Sequence, residues 1–317
     1  MPLSHAAAPE PSSCSASSAR LGEPLAGTAP VVAAGRWLAI EQPGPWGARA
    51  LTESHFPREL GRALSGKADA AGARIALIRR PGQHAEHDPA APRRVFLADT
   101  RPGRGALWSW STHDPATLLD LDFDAPGKPL HEAGPLLLIC TNSKRDTCCA
   151  LSWRALAGWL TEDSENTAAD ADSIWESDHL GGHRFAPTAV VLPTGYVYGR
   201  LDGPAARGIL RAAAAGRVVG QLCRGRSTWS RPGQAAELAL RDQLREYAAD
   251  AVTVLGERRL DASEGADRRH EVRLSADGDR FRAVLAESEA AEPRPESCGK
   301  SFGTPLELRL VSLEKDD

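Results

Sequence analysis

The chain has 317 residues, of which 42% are hydrophobic and 25% charged, and a formal net charge of -4. These are the proportions of a globular protein long enough for one large domain or two ordinary ones. With no basic surplus, a nucleic-acid partner is not expected. No apolar run reaches the roughly 18 residues of a membrane span, and MPLSHAAAPEPSSCSASSAR lacks a basic stretch followed by an apolar core, so the expectation is a cytoplasmic protein with no membrane partner. Thiols stay reduced there, and the six cysteines read as ligands, redox groups or buried small residues rather than a disulfide framework.

Residues 1–30 are rich in Ala, Ser and Pro and are predicted to be poorly ordered, with Cys14 an ordinary residue near the start of the fold. Residues 31–130 read as a smaller N-terminal α/β unit. RWLAIE (36–41) is a buried strand ended by the turn residues of QPGPWG. Leu60, Ala63, Leu64 and Ala68 recur at helical spacing across 59–71. Strands follow at 75–78, 95–98 and 107–111. A short acidic and apolar segment at 118–123 then leads to a linker containing Pro126, Gly127 and Pro129.

Residues 131–255 read as a second unit. Leu136–Ile139 is a buried strand, and Cys149–Leu160 a helix with Trp153, Leu156, Ala157 and Leu160 on one face. An acidic, Ala-rich loop spans 161–172. Strands at 173–177 and 189–192 follow, then a hairpin that turns at Thr194-Gly195 and returns through Tyr196–Tyr198. Helices at 204–215 and 233–249 precede a strand at 252–255. Residues 256–317 read as a C-terminal β extension with strands at 268–274, 281–285 and 306–311. The order β-α-β-β-α predicts a thioredoxin-like layer, a central sheet with helices on its faces. Both units begin with an apolar strand, a loop and a helix, which admits a tandem thioredoxin-like arrangement as the fuller version of the same α/β class.

The chemistry concentrates between Leu136 and Leu201. Cys140 ends a strand and Cys149 opens a helix, giving Cys-x8-Cys; His179 and His183 give His-x3-His in HLGGH. Two thiolates and two imidazoles make a four-ligand set for a transition metal. Gly181 and Gly182 permit backbone angles that turn both rings toward one centre, and a thiolate at a helix N-terminus is favoured by the helix dipole. Two metals compete. Zinc accepts Cys2His2, but the eight-residue gap is wrong for a zinc finger. A [2Fe–2S] cluster accepts Cys on one iron and His on the other, though the Rieske spacing is absent. A thioredoxin-like thiol oxidoreductase using Cys148 or Cys149 is a third reading, against which stands the missing Cys-x-x-Cys. Lys144 and Arg145 could supply positive charge near such a centre, with Asp146 positioning the loop. Cys148 could compete with Cys149 as a ligand, while Cys223 and Cys298 read as a buried and a loop residue. No Gly-rich dinucleotide loop occurs, so no nicotinamide or flavin cofactor is indicated.

CTNSKRDTCCA followed by HLGGHRFAPTAVVLP resembles the sucrase/ferredoxin-like family, a branch of the thioredoxin-like ferredoxins. The likeness runs from about Leu21 to PRPESCGK near the C-terminus. Fungal relatives in that family carry Cys-x8-Cys and His-x-Gly-Gly-His and hold a [2Fe–2S] cluster with two His ligands. The resemblance therefore implies Cys140, Cys149, His179 and His183 as the cofactor-binding and metal-ligating residues. It also implies a one-electron carrier that works with a donor or acceptor protein. Exposed His ligands would make the potential fall as pH rises, by up to about 59 mV per unit for one proton per electron. The family name mentions a sucrase, but no paired carboxylates suggest sugar hydrolysis.

Overall fold

The structure is a computed structural model that describes residues 13–85, 88–125, 131–162, 172–260 and 268–316. Short apolar runs become central strands because both of their faces are covered. RWLAIE forms β1 (Arg36–Glu41) and LLLIC forms β6 (Leu136–Cys140), and Trp37, Leu38, Leu137 and Leu138 are fully buried. The expected linker at 126–130 and most of the acidic loop, 163–171, lie outside the described residues.

In the first half, β1 leads through helix α2 (Arg58–Ala70) to β2 (Arg74–Arg79), which pairs with it in parallel. Strand β3 (Arg93–Asp99) pairs antiparallel with the other edge of β1, and β4 (Ala106–Thr112) with β3. A two-residue strand, β5 (His131–Glu132), ends this side. The second half repeats the scheme. Strand β6 leads through α3 (Thr147–Glu162) to its parallel neighbour β7 (Ile174–Ser177). Strand β8 (Ala189–Leu192) is antiparallel to β6, and β9 (Tyr196–Tyr198) to β8. Helix α4 (Gly203–Ala214) follows, and then β10 (Cys223–Arg226) pairs with β9.

The two halves join where β2 and β7 pair antiparallel, Ile78 opposite Ser177 and Arg79 opposite Glu176. One ten-stranded mixed sheet results, in the order β10-β9-β8-β6-β7-β2-β1-β3-β4-β5. The suborders β2-β1-β3-β4 and β7-β6-β8-β9 are the same arrangement, so the α/β expectation is met in its tandem, thioredoxin-like form. One core cluster runs across the seam, with Trp37, Ala39, Ile78 and Phe96 from the first half and Leu138, Trp175 and Val190 from the second. Phe96 meets Trp175 edge-on at 5.5 Å between ring centroids.

Helix α5 (Arg231–Leu244) closes against a second sheet made of β11 (Val252–Leu260), β12 (Arg268–Ala276), β13 (Asp279–Glu289) and a long final strand, Leu306–Asp316. Ala236, Leu240, Val272, Leu274 and Phe281 form its core. Between β13 and the final strand, β14 (Arg294–Pro295) pairs with β15 (Phe302–Gly303), which makes the final strand β16.

The N-terminal segment departs from expectation. Residues 1–12 lie outside the described residues, but Cys14–Arg20 forms helix α1, capped by the Ser13 side chain. Its packing is largely polar, which an apolar pattern could not announce. Glu23, just after it, bonds Arg184 at 2.7 Å and Arg294 at 2.9 Å, and the Gly27 and Thr28 amides donate to the Arg224 carbonyl.

Candidate metal centre

Strand β6 ends at Cys140, whose amide donates to the Thr188 carbonyl of the loop before β8. The chain then turns through Asn142: its side-chain oxygen accepts from the Lys144 amide, and its carbonyl from those of Arg145 and Asp146. Asp146 accepts from the Cys148 amide at 2.9 Å, in the manner of an N-cap at the start of α3. Cys149 therefore lies in the first turn of that helix, where the dipole favours negative charge. Lys144 and Arg145 are exposed, whereas Asp146 is buried.

On the other side, β7 delivers Asp178 and His179. The Arg74 guanidinium, from the start of β2, donates to the His179 carbonyl at 2.7 Å. Gly181 and Gly182 follow at φ 89° and 76°, the left-handed region that glycine enters without strain. A Cβ on Gly182 would meet the Arg224 guanidinium, which itself donates to the Gly181 carbonyl at 3.0 Å. Both glycines are thus needed where the sequence has them. A 3-10 turn, His183–Phe185, then sets the second ring.

The four predicted side chains meet. The Cys140 and Cys149 sulfurs are 3.6 Å apart, and Cys149 Sγ lies 3.5 Å from His183 Nδ1. The two imidazoles stack with centroids 4.5 Å apart and planes 22° off parallel. Bonding with Cys149, and next with His179, holds the Cys140 thiol below its ordinary value. His179 Nδ1 is buried and has no hydrogen-bond partner among the described residues. A buried ring nitrogen without a partner is costly unless it has a ligand role. Bonding to Cys140 and burial hold the Cys149 thiol well above its ordinary value, while Cys140 is held below. Ionising both sulfurs requires a cation between them. Burial lowers the His183 pKa, which favours the neutral ring, the form that ligates. His179 is half-buried and lines a surface cleft with Asp178, Arg145 and the Arg49, Arg58 and Arg62 side chains.

A second group of sulfurs lies beside the first. Cys148 turns away from Cys140 and toward Cys14, at 3.4 Å, and Cys298, at 3.1 Å; Cys14 and Cys298 are 3.6 Å apart. One ligand atom from each of Cys14, Asp146, Cys148 and Cys298 lies within 4.8 Å of all the others, so this Cys/Asp group could hold a metal ion. Sequence reading missed it. Cys14 and Cys298 are 284 positions apart, and neither sits in a recognisable spacing. The adjacency of Cys148 to Cys149 was the only hint. Cys223, by contrast, is a buried core residue whose thiol burial pushes up to about 12.

Of the families compared, the one described as sucrase/ferredoxin-like matches residues 27–225, more than half of the chain. That span contains all four residues of the first group but stops short of Cys298, and it begins after Cys14. No curated protein and no solved structure matches the chain.

Proposed function

The chain belongs to the sucrase/ferredoxin-like family, and from that premise we propose that it is an electron-transfer protein whose Cys140, Cys149, His179 and His183 hold a [2Fe–2S] cluster. The observation that carries the reading is the shape of the quartet. Two ligands at about 2.3 Å on one tetrahedral centre lie about 3.7 Å apart, close to the 3.6 Å between Cys140 and Cys149. The family resemblance assigns those two thiolates to one iron and the imidazoles to the other, and the 3.5 Å between Cys149 Sγ and His183 Nδ1 opens when both irons are held. A single zinc ion would draw all four donors together. Among the described residues, the only group of three or more Cys, His, Asp or Glu donors lying within 4.8 Å of one another is the other one, around Cys148. The quartet is more open, which favours two metal atoms over one.

The cluster, when bound, supplies one-electron redox chemistry. The residues do the rest. Cys140 and Cys149, both buried, keep water from the inner side. His179 and His183, being neutral ligands, leave the site less negative than four thiolates would, which raises the potential above that of plant-type ferredoxins. Arg74 and Arg224 fix the loop that carries both rings. His179 lines the cleft beside Arg145, and that side offers a short route to a donor or acceptor protein. The test is anaerobic purification with iron and sulfide analysis: about two irons and two sulfides per chain are expected, and one zinc per quartet with no iron would replace this reading by a structural site.

A further inference from the structure

We propose that Cys14, Cys148 and Cys298, with Asp146 as fourth ligand, form a closed mononuclear zinc site that clamps both ends of the chain onto the loop carrying Cys149. The proposal is independent of the cluster reading, because it uses none of the quartet.

The geometry is that of one ion. The three sulfurs form a triangle with sides of 3.1, 3.4 and 3.6 Å, near the spacing of thiolates on a tetrahedral zinc at about 2.3 Å from each. Both Asp146 oxygens lie 3.9 Å from Cys14 Sγ. All four donors lie within 4.8 Å of one another, too tight for a two-iron centre and suited to a single atom. Three sulfurs select a thiophilic ion over calcium or magnesium, which require oxygen ligands. Four protein donors and no open position are the pattern of a structural rather than a catalytic zinc.

The surroundings are built for this purpose. Asp146 is held by the Cys148 amide at 2.9 Å, the Cys298 amide at 2.9 Å and the Ser297 hydroxyl at 2.7 Å. Two of these bonds fall on Oδ2 and one on Oδ1, which leaves Oδ1 with a lone pair for the metal. The Ser15 hydroxyl donates to Cys148 Sγ at 3.2 Å. Hydroxyl and amide donors around the ligands orient metal-bound groups and tune their basicity. Cys14, Cys148 and Asp146 are buried and Cys298 is half-buried, so the site is closed on three sides and Cys298 lies nearest the surface.

The topology supplies the role. Cys14 begins α1, Cys148 lies in the first turn of α3, and Cys298 lies between β14 and β15. The sequence separations from Cys148 are 134 and 150 residues. An ion at this point closes two loops of that size at once, a large loss of freedom for the unfolded chain. It also fixes the residue next to Cys149, and so supports the neighbouring quartet from behind.

The test is metal analysis by mass spectrometry on the full-length protein from medium replete in iron and zinc, for wild type, Cys14→Ser, Cys298→Ser and Cys140→Ser. Wild type is expected to carry one zinc beyond any metal of the quartet. Cys14→Ser and Cys298→Ser are each expected to lose that equivalent, to below a tenth, while keeping their iron. Cys140→Ser should lose the quartet's metal and keep this zinc, so failure of the cluster reading and failure of this one leave different patterns. As a check that does not depend on a variant folding, wild type stripped of zinc and titrated with Co2+ should show the intense visible bands of tetrahedral thiolate ligation at one equivalent. Zinc content unchanged in both variants, or a metal-free wild type with a Cys148–Cys298 disulfide by peptide mapping, would overturn the proposal.

Discussion

Gly182 shows how narrowly single residues set the loop of the candidate metal centre. It combines a φ of 76° with the Arg224 guanidinium where a Cβ would go. Gly182→Ala therefore adds both backbone strain, about 1 kcal/mol or more, and a displaced arginine. The expected result is a folded protein with reduced iron per chain, read by circular dichroism and metal analysis together; full iron loading would show that the loop tolerates another path. At the rings, His183→Cys exchanges a neutral ligand for a thiolate. The cluster should persist and its midpoint potential fall, as measured by redox titration; a potential that stays or rises would contradict His ligation. The quartet was legible because its spacings are short and its residue types rare. The Cys148 group was not legible, because Cys14 and Cys298 reach it only through tertiary contacts and Asp146 looks in sequence like an ordinary loop acid.

At the scale of elements, the N-terminal strap and the C-terminal segment are pinned by Glu23. Its carboxylate bonds Arg184, next to His183, and Arg294 of β14, with the Glu23 and Arg294 side chains only 2% and 3% exposed. Burial alone would raise the Glu23 pKa, but the hydrogen bond from Arg294 and the bond and charge of Arg184 outweigh it and hold it below 4.5. A lowered carboxylate pKa contributes stability that is complete above the unfolded value and is lost as pH falls through the folded one. The thermal midpoint should therefore drop below pH 4.5, and Glu23→Gln should flatten that part of the profile. Glu23→Ala leaves Arg184 without this carboxylate and Arg294 with Glu307 alone, at a cost of about 3 kcal/mol, which chemical denaturation measures. The sequence pattern did not reveal α1 or this strap, because periodicity reports apolar packing and these contacts are ionic and backbone-mediated. Strands such as β1, β6 and β8 were read nearly to the residue, because continuous apolar runs between turn residues have few other folded uses.

The ten-stranded sheet is two copies of one topology fused edge to edge, and Cys140, Cys149, His179 and His183 all lie in the second copy. The repeat was faintly legible from the matching strand-loop-helix starts. The seam was not, since the pairing of β2 with β7 is a choice of neighbours that local pattern does not encode. Arg79 and Glu176 meet there at 2.8 Å, with side chains 5% and 0% exposed, and Thr141, one residue after Cys140, also donates to Glu176 at 3.0 Å. The seam and the metal centre are thus physically continuous. Phe96→Ala, on the first half, empties the contact with Trp175 and should cost about 3–5 kcal/mol. Its unfolding should remain a single transition with loss of metal in the same step; separate transitions for the two halves would show that the shared core does not couple them.

Cys140, Cys149, His179 and His183 are proposed to hold a two-iron cluster. Electron paramagnetic resonance of the anaerobically purified protein, recorded after dithionite reduction, tests it most directly. The account calls for a rhombic signal of low average g, like that of a His-ligated Rieske centre, which is lost in Cys140→Ser. A silent, colourless protein with full occupancy of zinc at the quartet would contradict it.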